Sequence, residues 1–213
     1  MTFGDMQTRV GRGILRDDLA PYYGEYINEA LREIQNRRSW TIQKNTVQVT
    51  LPASDGEASV TVATDLKELQ KQPAVYFVAD DGGLVPAETV FESQQIYRVW
   101  VFWGTPIVTW PPRVFFERNG QNAVIGMVEP RTEDFNFRVD YYRYLPDLVN
   151  RDDTSPFIDL YPEMVLALSK MIAFTDINDS DGLKTNSDIF ELKLSAAGRQ
   201  DAYAEVRGRQ THL

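Results

Sequence analysis

The sequence holds one histidine, His212, second from its end, and no cysteine. A general base must sit at a fixed position, and a frayed terminus does not provide one. Serine triads and histidine metal sites are therefore not expected, and thiolate zinc sites, disulfides and cysteine nucleophiles are excluded. "DINDSDG" (176–182) invites a calcium reading, because oxygen-bearing side chains alternate ahead of a glycine. Neither register works. Counting back from Gly182 puts Ile177 at the first ligand position and Asp188, not glutamate, at the twelfth; counting from Asp176 puts Asp181 where the glycine belongs. A helix–helix turn is the better reading.

Paired carboxylates could hydrolyse glycosidic bonds. "VEPRTED" brings Glu129, Glu133 and Asp134 together near a strand end, but with 31 acidic residues such a cluster arises by chance. Trp100, Trp103 and Trp110, with Tyr97 and Phe102, fall in one aromatic stretch that could stack on sugar rings. In "YRVWVFW", Tyr97, Val99, Val101 and Trp103 share one strand face, and Arg98, Trp100 and Phe102 the other. Packing, with one face covered by a partner, explains that pattern as well. A carbohydrate-binding β-sandwich or a glycan-degrading enzyme stays as the alternative. "GRG" and "DDGG" lack the strand-then-helix setting of a phosphate loop. No catalytic residue, cofactor or metal is assigned.

Behind these residues stands a chain of 213, 43% hydrophobic and 25% charged, enough for a real core. The formal charge of −9 gives no electrostatic grip on a phosphate backbone. No apolar run is long enough to span a membrane. "MTFGDMQTRVGRG" lacks the basic-then-apolar pattern of a signal peptide. The chain is expected in cytosol, or in an assembly built there.

Three segments follow. In residues 1–38, Thr2 and Asp5 make a weak capping box, ahead of Met6, Val10 and Ile14 at four-residue spacing. Gly11 and Gly13 weaken that helix. A clearer second helix places Pro21 near its first turn. Tyr23, Tyr26, Ile27, Ala30, Leu31 and Ile34 make its apolar stripe, while Asn28, Glu29, Arg32, Glu33 and Gln35 face the other way. Residues 40–144 turn to short β-branched and aromatic strands at the pace of an antiparallel sandwich or barrel-like domain. Asn119-Gly120 supplies positive φ in a hairpin, and "LKELQKQP" (66–73) could be a helical turn or a loop.

Residues 147–213 return to helix. Pro156 follows Ser155 in a short turn, and Pro162 opens a main helix to about Phe174 that is apolar nearly all round. Its sides could be covered by its own domain or by a neighbouring subunit. A last helix near 184–207 carries Ile189, Leu192, Ala196 and Tyr203 on one stripe, widened by Phe190, Leu194 and Ala197. The fold class expected is α+β: an antiparallel helical bundle from 1–39 and 145–213, with a β-rich domain, 40–144, inserted between. Tyr141, Tyr142, Tyr144, Leu145 and Leu148 would plug the junction.

"INEALREIQNRRSW" (27–40) and "VDYYRYLPDLVNRDDTSPFIDLYPEMVLALSKMIAF" (139–174) carry a family resemblance. A basic helix end closes on tryptophan. A strand then runs into a Tyr-Leu-Pro hinge, an acidic loop, and a Tyr-Pro that opens a helix. In these features and in segment order the chain resembles the head–tail adaptor, or head-completion, proteins of tailed bacteriophages. The resemblance implies a virion structural protein at the head–tail junction, made in the host cytoplasm. It further implies a homo-oligomeric, twelve-fold ring under the portal protein, extending the channel and offering downstream tail or neck proteins a surface. Double-stranded DNA would pass without sequence-specific binding, and no membrane is involved. Portal docking through the C-terminal helix and tail would fall to Tyr203, Arg207, Arg209 and Leu213, with Trp100 and Trp103 as further partner-binding candidates.

Overall fold

A computed structural model describes residues 1–70, 74–87, 90–91, 114–127 and 130–210. The protein is α+β and divides into two compact units, Met1–Ile42 with Leu145–Leu213, and Gln43–Tyr144.

The helical unit begins with α1 (Phe3–Ile14). Its capping box is complete: the Asp5 N–H donates to Thr2 Oγ1 (3.2 Å), and the Thr2 N–H donates to Asp5 Oδ2 (3.0 Å). Those bonds hold the Asp5 carboxyl below its ordinary range. Gly11 has a packing reason, since a Cβ there would come within 2.8 Å of the Tyr23 ring. Leu15 caps α1 in the left-handed region (φ 55°), its N–H donating to Gly11 O. Pro21 lies near the first turn of α2 (Tyr23–Arg37), as expected, in a 3-10 turn, Asp17–Tyr22, that leads into it.

The expected stripe of α2 is buried from Tyr23 to Ile34. Gln35 is buried too, against expectation, because it accepts the Leu145 N–H (2.6 Å). Asn28 exchanges two hydrogen bonds of 2.9 Å with the Leu148 backbone. Chain leaving the sheet has lost its ladder partners, and these two amides replace them. Arg37 reaches Glu33 one turn back (3.1 Å).

Ser155 caps the short α3 (Pro156–Leu160), and Pro162 opens α4 (Pro162–Asp176) at a position where a missing N–H costs nothing. Helices α1, α2, α3 and α5 (Ser180–Gln210) all pack against α4, so its own unit accounts for the burial of Met164–Leu168, Ala173 and Phe174. Asp179 accepts the N–H groups of Asp181 and Gly182, which makes "DINDSDG" a helix–helix turn. On α5 the covered face is Phe190, Leu194, Ala197 and Asp201. Ile189, Leu192, Ala196 and Tyr203 face outward, so the covered side is made by the residues that widened the expected stripe, Phe190, Leu194 and Ala197, and not by its main line.

Tyr26 supplies a pH test. Burial, then a hydrogen bond to Asp176, pushes its phenol up to about 12. The folded state therefore holds this proton more tightly than the unfolded chain. Its stabilisation is complete below pH 10 and lost as pH rises through about 12. Denaturant midpoints measured across that window should fall with pH in the native chain, and fall less steeply in Tyr26→Phe.

In the β unit, β1 (Lys44–Leu51), β4 (Val75–Val78), β5 (Leu84–Pro86) and β9 (Phe135–Arg143) form one sheet, in the order β1-β9-β4-β5. The stretch left open as turn or loop contains a further strand, β3 (Leu66–Leu69), also paired with β9. A second sheet runs β2 (Ala58–Ala63), β8 (Asn122–Met127), β7 (Val114–Asn119), β6 (Val90–Phe91). Pairing is antiparallel throughout, save β6 along β7. The two sheets do not close into a barrel among the described residues. One core takes residues from both, including Leu51, Phe137 and Val139 from the first and Val114, Phe116 and Ile125 from the second.

The β7–β8 hairpin loop is Gly120–Gln121, and Gly120 alone has positive φ (64°); Asn119 stays in strand, opposite Asn122. Positive φ at the first loop residue only is the II′ pattern, in register with strand twist. Tyr141 belongs to the β core, its hydroxyl accepting from Asn45 (2.8 Å) and donating to Asp65 (3.0 Å). Leu148 is in the helical core, with Leu145 packed against it.

Candidate functional site

Three residues past the end of α2 the chain buries Trp40 completely. Its indole N–H donates to Ile34 O (2.9 Å), satisfying a carbonyl near the helix end. The ring meets Phe157 edge-on (5.5 Å between centroids) and tilts against Tyr161 (5.5 Å). Arg38 lies over it, with Cζ 4.8 Å from the centroid.

Arg38 is held from the far side by α5. Asp201 is only 3% exposed; its carboxylate accepts from Arg38 (3.3 Å) and from the Thr41 N–H (2.9 Å). Burial, then the Asp201 charge, raises the Tyr161 phenol, while Arg38 opposes that shift. Arg37, beside it, reaches Glu191 (3.3 Å) and sits 5.0 Å from the Phe190 centroid. The lack of a side chain at Gly198 matters here, since a Cβ would stand 2.6 Å from Arg38 Nη1.

Between the end of α2 and α5 lies a groove of about 440 Å³, walled by Arg37, Arg38 and Arg199 and floored by Leu194, Gly198 and Ala202. Three guanidinium groups around an apolar floor suit a partner that is part acidic and part apolar. Next to it, Leu192 (66% exposed), Tyr203 (72%) and Val206 (56%) continue along the outer side of α5. With Ile189 and Ala196 they keep alternating three- and four-residue steps, broken only where Arg199 takes the place between Ala196 and Tyr203, a seam that matches another helix or ridge.

Removing the Asp201 carboxylate leaves the Thr41 N–H and the Arg38 guanidinium without this acceptor. Asp201→Ala should lower stability by about 2 kcal/mol, measured as a denaturant-midpoint shift at unchanged slope. Asp201→Asn keeps an acceptor and should lose less.

Of the partner-binding candidates, Tyr203 is on α5 and exposed. Arg207 and Arg209 fall in its last turns, and Trp100, Trp103 and Leu213 lie outside the described residues, as does Glu129. Asp134 accepts the Ala53 N–H (2.8 Å), a loop-closing role. Among the described residues no group of three or more His, Asp or Glu side chains is placed to hold a metal ion, and no helix is long and apolar enough to cross a membrane. Sequence reasoning missed Arg37, Arg38 and Asp201 as one cluster. Its one local signal is Gly198, a glycine inside a long helix.

A family model described as SU10 adaptor protein matches residues 1–211. No curated protein matches the chain significantly.

Proposed function

The chain belongs to the SU10 adaptor protein family, and from that premise we propose that it is a virion protein joining the head of a tailed phage to its tail. The role is that of a structural adaptor, associated with other phage head and tail proteins. The observation that carries this is the family match over nearly the whole chain, which takes in both units.

In this reading, copies form a ring, twelve-fold in symmetry, that docks under the portal, extends the DNA channel and gives tail proteins their attachment surface. The helical segments from both chain ends act as one bundle and the β unit as an inserted sandwich. A core that draws on both sheets supports the sandwich, and the pairing of Arg38 and Thr41 with Asp201 supports the bundle. An overall charge of −9 suits a wall that DNA slides past, because cationic walls hold phosphates. Docking on the portal falls to the far end of the C-terminal helix, the last turns of α5 from Arg207 to Gln210, leaving the seam from Leu192 to Tyr203 to another partner.

Two measurements test it. Mass spectrometry of purified virions should find the chain, and phage lacking it should accumulate DNA-filled heads without tails. Negative-stain images of the chain mixed with purified portal should show an added ring. Tailed, infectious particles formed without the chain would overturn the role. Portal and chain that stay separate would overturn the docking.

A further inference from the structure

We propose that the outer side of α5 and its arginine groove receive the Leu15–Tyr22 segment of a second copy of this chain, in a head-to-tail contact. The proposal deepens the assembly reading above and rests on it for the expectation of self-association.

Segment and surface match in chemistry. Leu15 is 83% exposed and held at φ 55°, a conformation that disfavours a residue with a side chain. An apolar side chain so exposed gains by being covered, since its surface leaves water. Tyr22, at the segment's other end, is 50% exposed. Between them stand exposed Asp17 and Asp18. Arg16 holds Asp18 through two hydrogen bonds (2.8 and 2.7 Å), whereas Asp17 makes no ion pair among the described residues. The segment is also fixed before it binds. The Leu15 N–H donates to Gly11 O (3.0 Å), and the Tyr23 hydroxyl donates to Arg16 O (2.6 Å). Little ordering entropy is then lost on docking.

The receiving surface has the opposite charge and the same apolar character. Arg199 lines the groove and makes no ion pair among the described residues, with Leu192 and Tyr203 beside it. Asp17 is placed on Arg199, and Leu15 and Tyr22 on the seam. Of the acids that flank exposed Val149, Asp147 is engaged with Arg32, and Asp153 with the Val149 and Asn150 N–H groups. Antiparallel pairing of α5 with its own copy about Ala196 would set Lys193 against Arg199, like charge against like. Segment and surface share no residue, so each copy can give one and receive the other. Such heterologous contacts propagate until a ring closes or a filament grows.

A chain without cysteine permits a clean test. Full-length Leu15→Cys and Tyr203→Cys variants are mixed, up to the highest soluble concentration, and oxidised. The mixture should give about tenfold more disulfide-linked heterodimer than either variant gives of homodimer, a bias of about 1.4 kcal/mol. Adding Arg199→Glu to the Tyr203→Cys chain should suppress the link, and adding Asp17→Lys to the Leu15→Cys chain should restore it. No heterodimer at any concentration, or a Tyr203→Cys homodimer of equal yield, overturns the proposal. Virions that contain the chain without giving the link would reject this contact and leave the adaptor role standing. A link in a chain absent from virions would do the reverse.

Discussion

Trp40→Ala should destabilise the helical unit by about 3–5 kcal/mol, the range for deleting a large ring from a closed core. The side chain is fully buried, and truncation empties the space between Phe157 and Tyr161. Two further losses come with it. Ile34 O loses the indole N–H, and Arg38 loses the ring beneath it while keeping its bond to Asp201. Trp40→Phe separates these effects. It retains most of the packing, drops the hydrogen bond, and should cost about 1 kcal/mol beyond the change in volume. Urea unfolding followed by helical circular dichroism reads both. A Trp40→Ala chain within 1 kcal/mol of native would mean that the site collapses to fill itself, contrary to the packing described here.

Gly126→Val should be the most damaging single change in the β unit, at about 3 kcal/mol, the upper range for overpacking. Gly126 pairs with Phe115 on one side and Ser59 on the other. A Cβ there would fall 2.7 Å from the Ala58 carbonyl oxygen, which is backbone, and into the Phe115 ring, which is 1% exposed. The aromatic ring covers the bare glycine across the strand pair, a device that supplies the packing a glycine lacks. Neither obstacle can swing away, so the strands must part. Hydrogen exchange at β7 and β8 amides should accelerate sharply in Gly126→Val, with the helical unit much less affected.

Legibility in the sequence followed the range of the interaction. Features set within one or two turns could be read directly: the Thr2–Asp5 capping box, Pro162 at a helix start, and the α2 stripe. Features set by distant chain could not. Gln35 looks like a solvent-facing amide until Leu145 arrives to be bonded. Four residues, "LKEL", are a strand only because β9 supplies the ladder. On α5 two stripes compete, and only the place of α4 decides that Phe190 and Ala197 go inward while Leu192 and Tyr203 stay out. The arginine groove was hidden for the same reason. Asp201 reads as a polar residue on a polar helix, and its partners lie some 160 positions earlier.

The pairing of β1 with β9 sets Lys44 directly across from Tyr142, and the Gln43 amide donates to Arg143 O (3.1 Å). The two chain ends of the β unit are therefore neighbours. Closing a loop of roughly a hundred residues costs about 4 kcal/mol in chain entropy. Once the strands have zipped, that loop has shrunk to the width of a strand pair, and most of the penalty on uniting the early and late helices is gone. The same geometry makes the β unit a cassette. A short turn joining residue 42 to residue 145 would bridge the gap that its removal leaves.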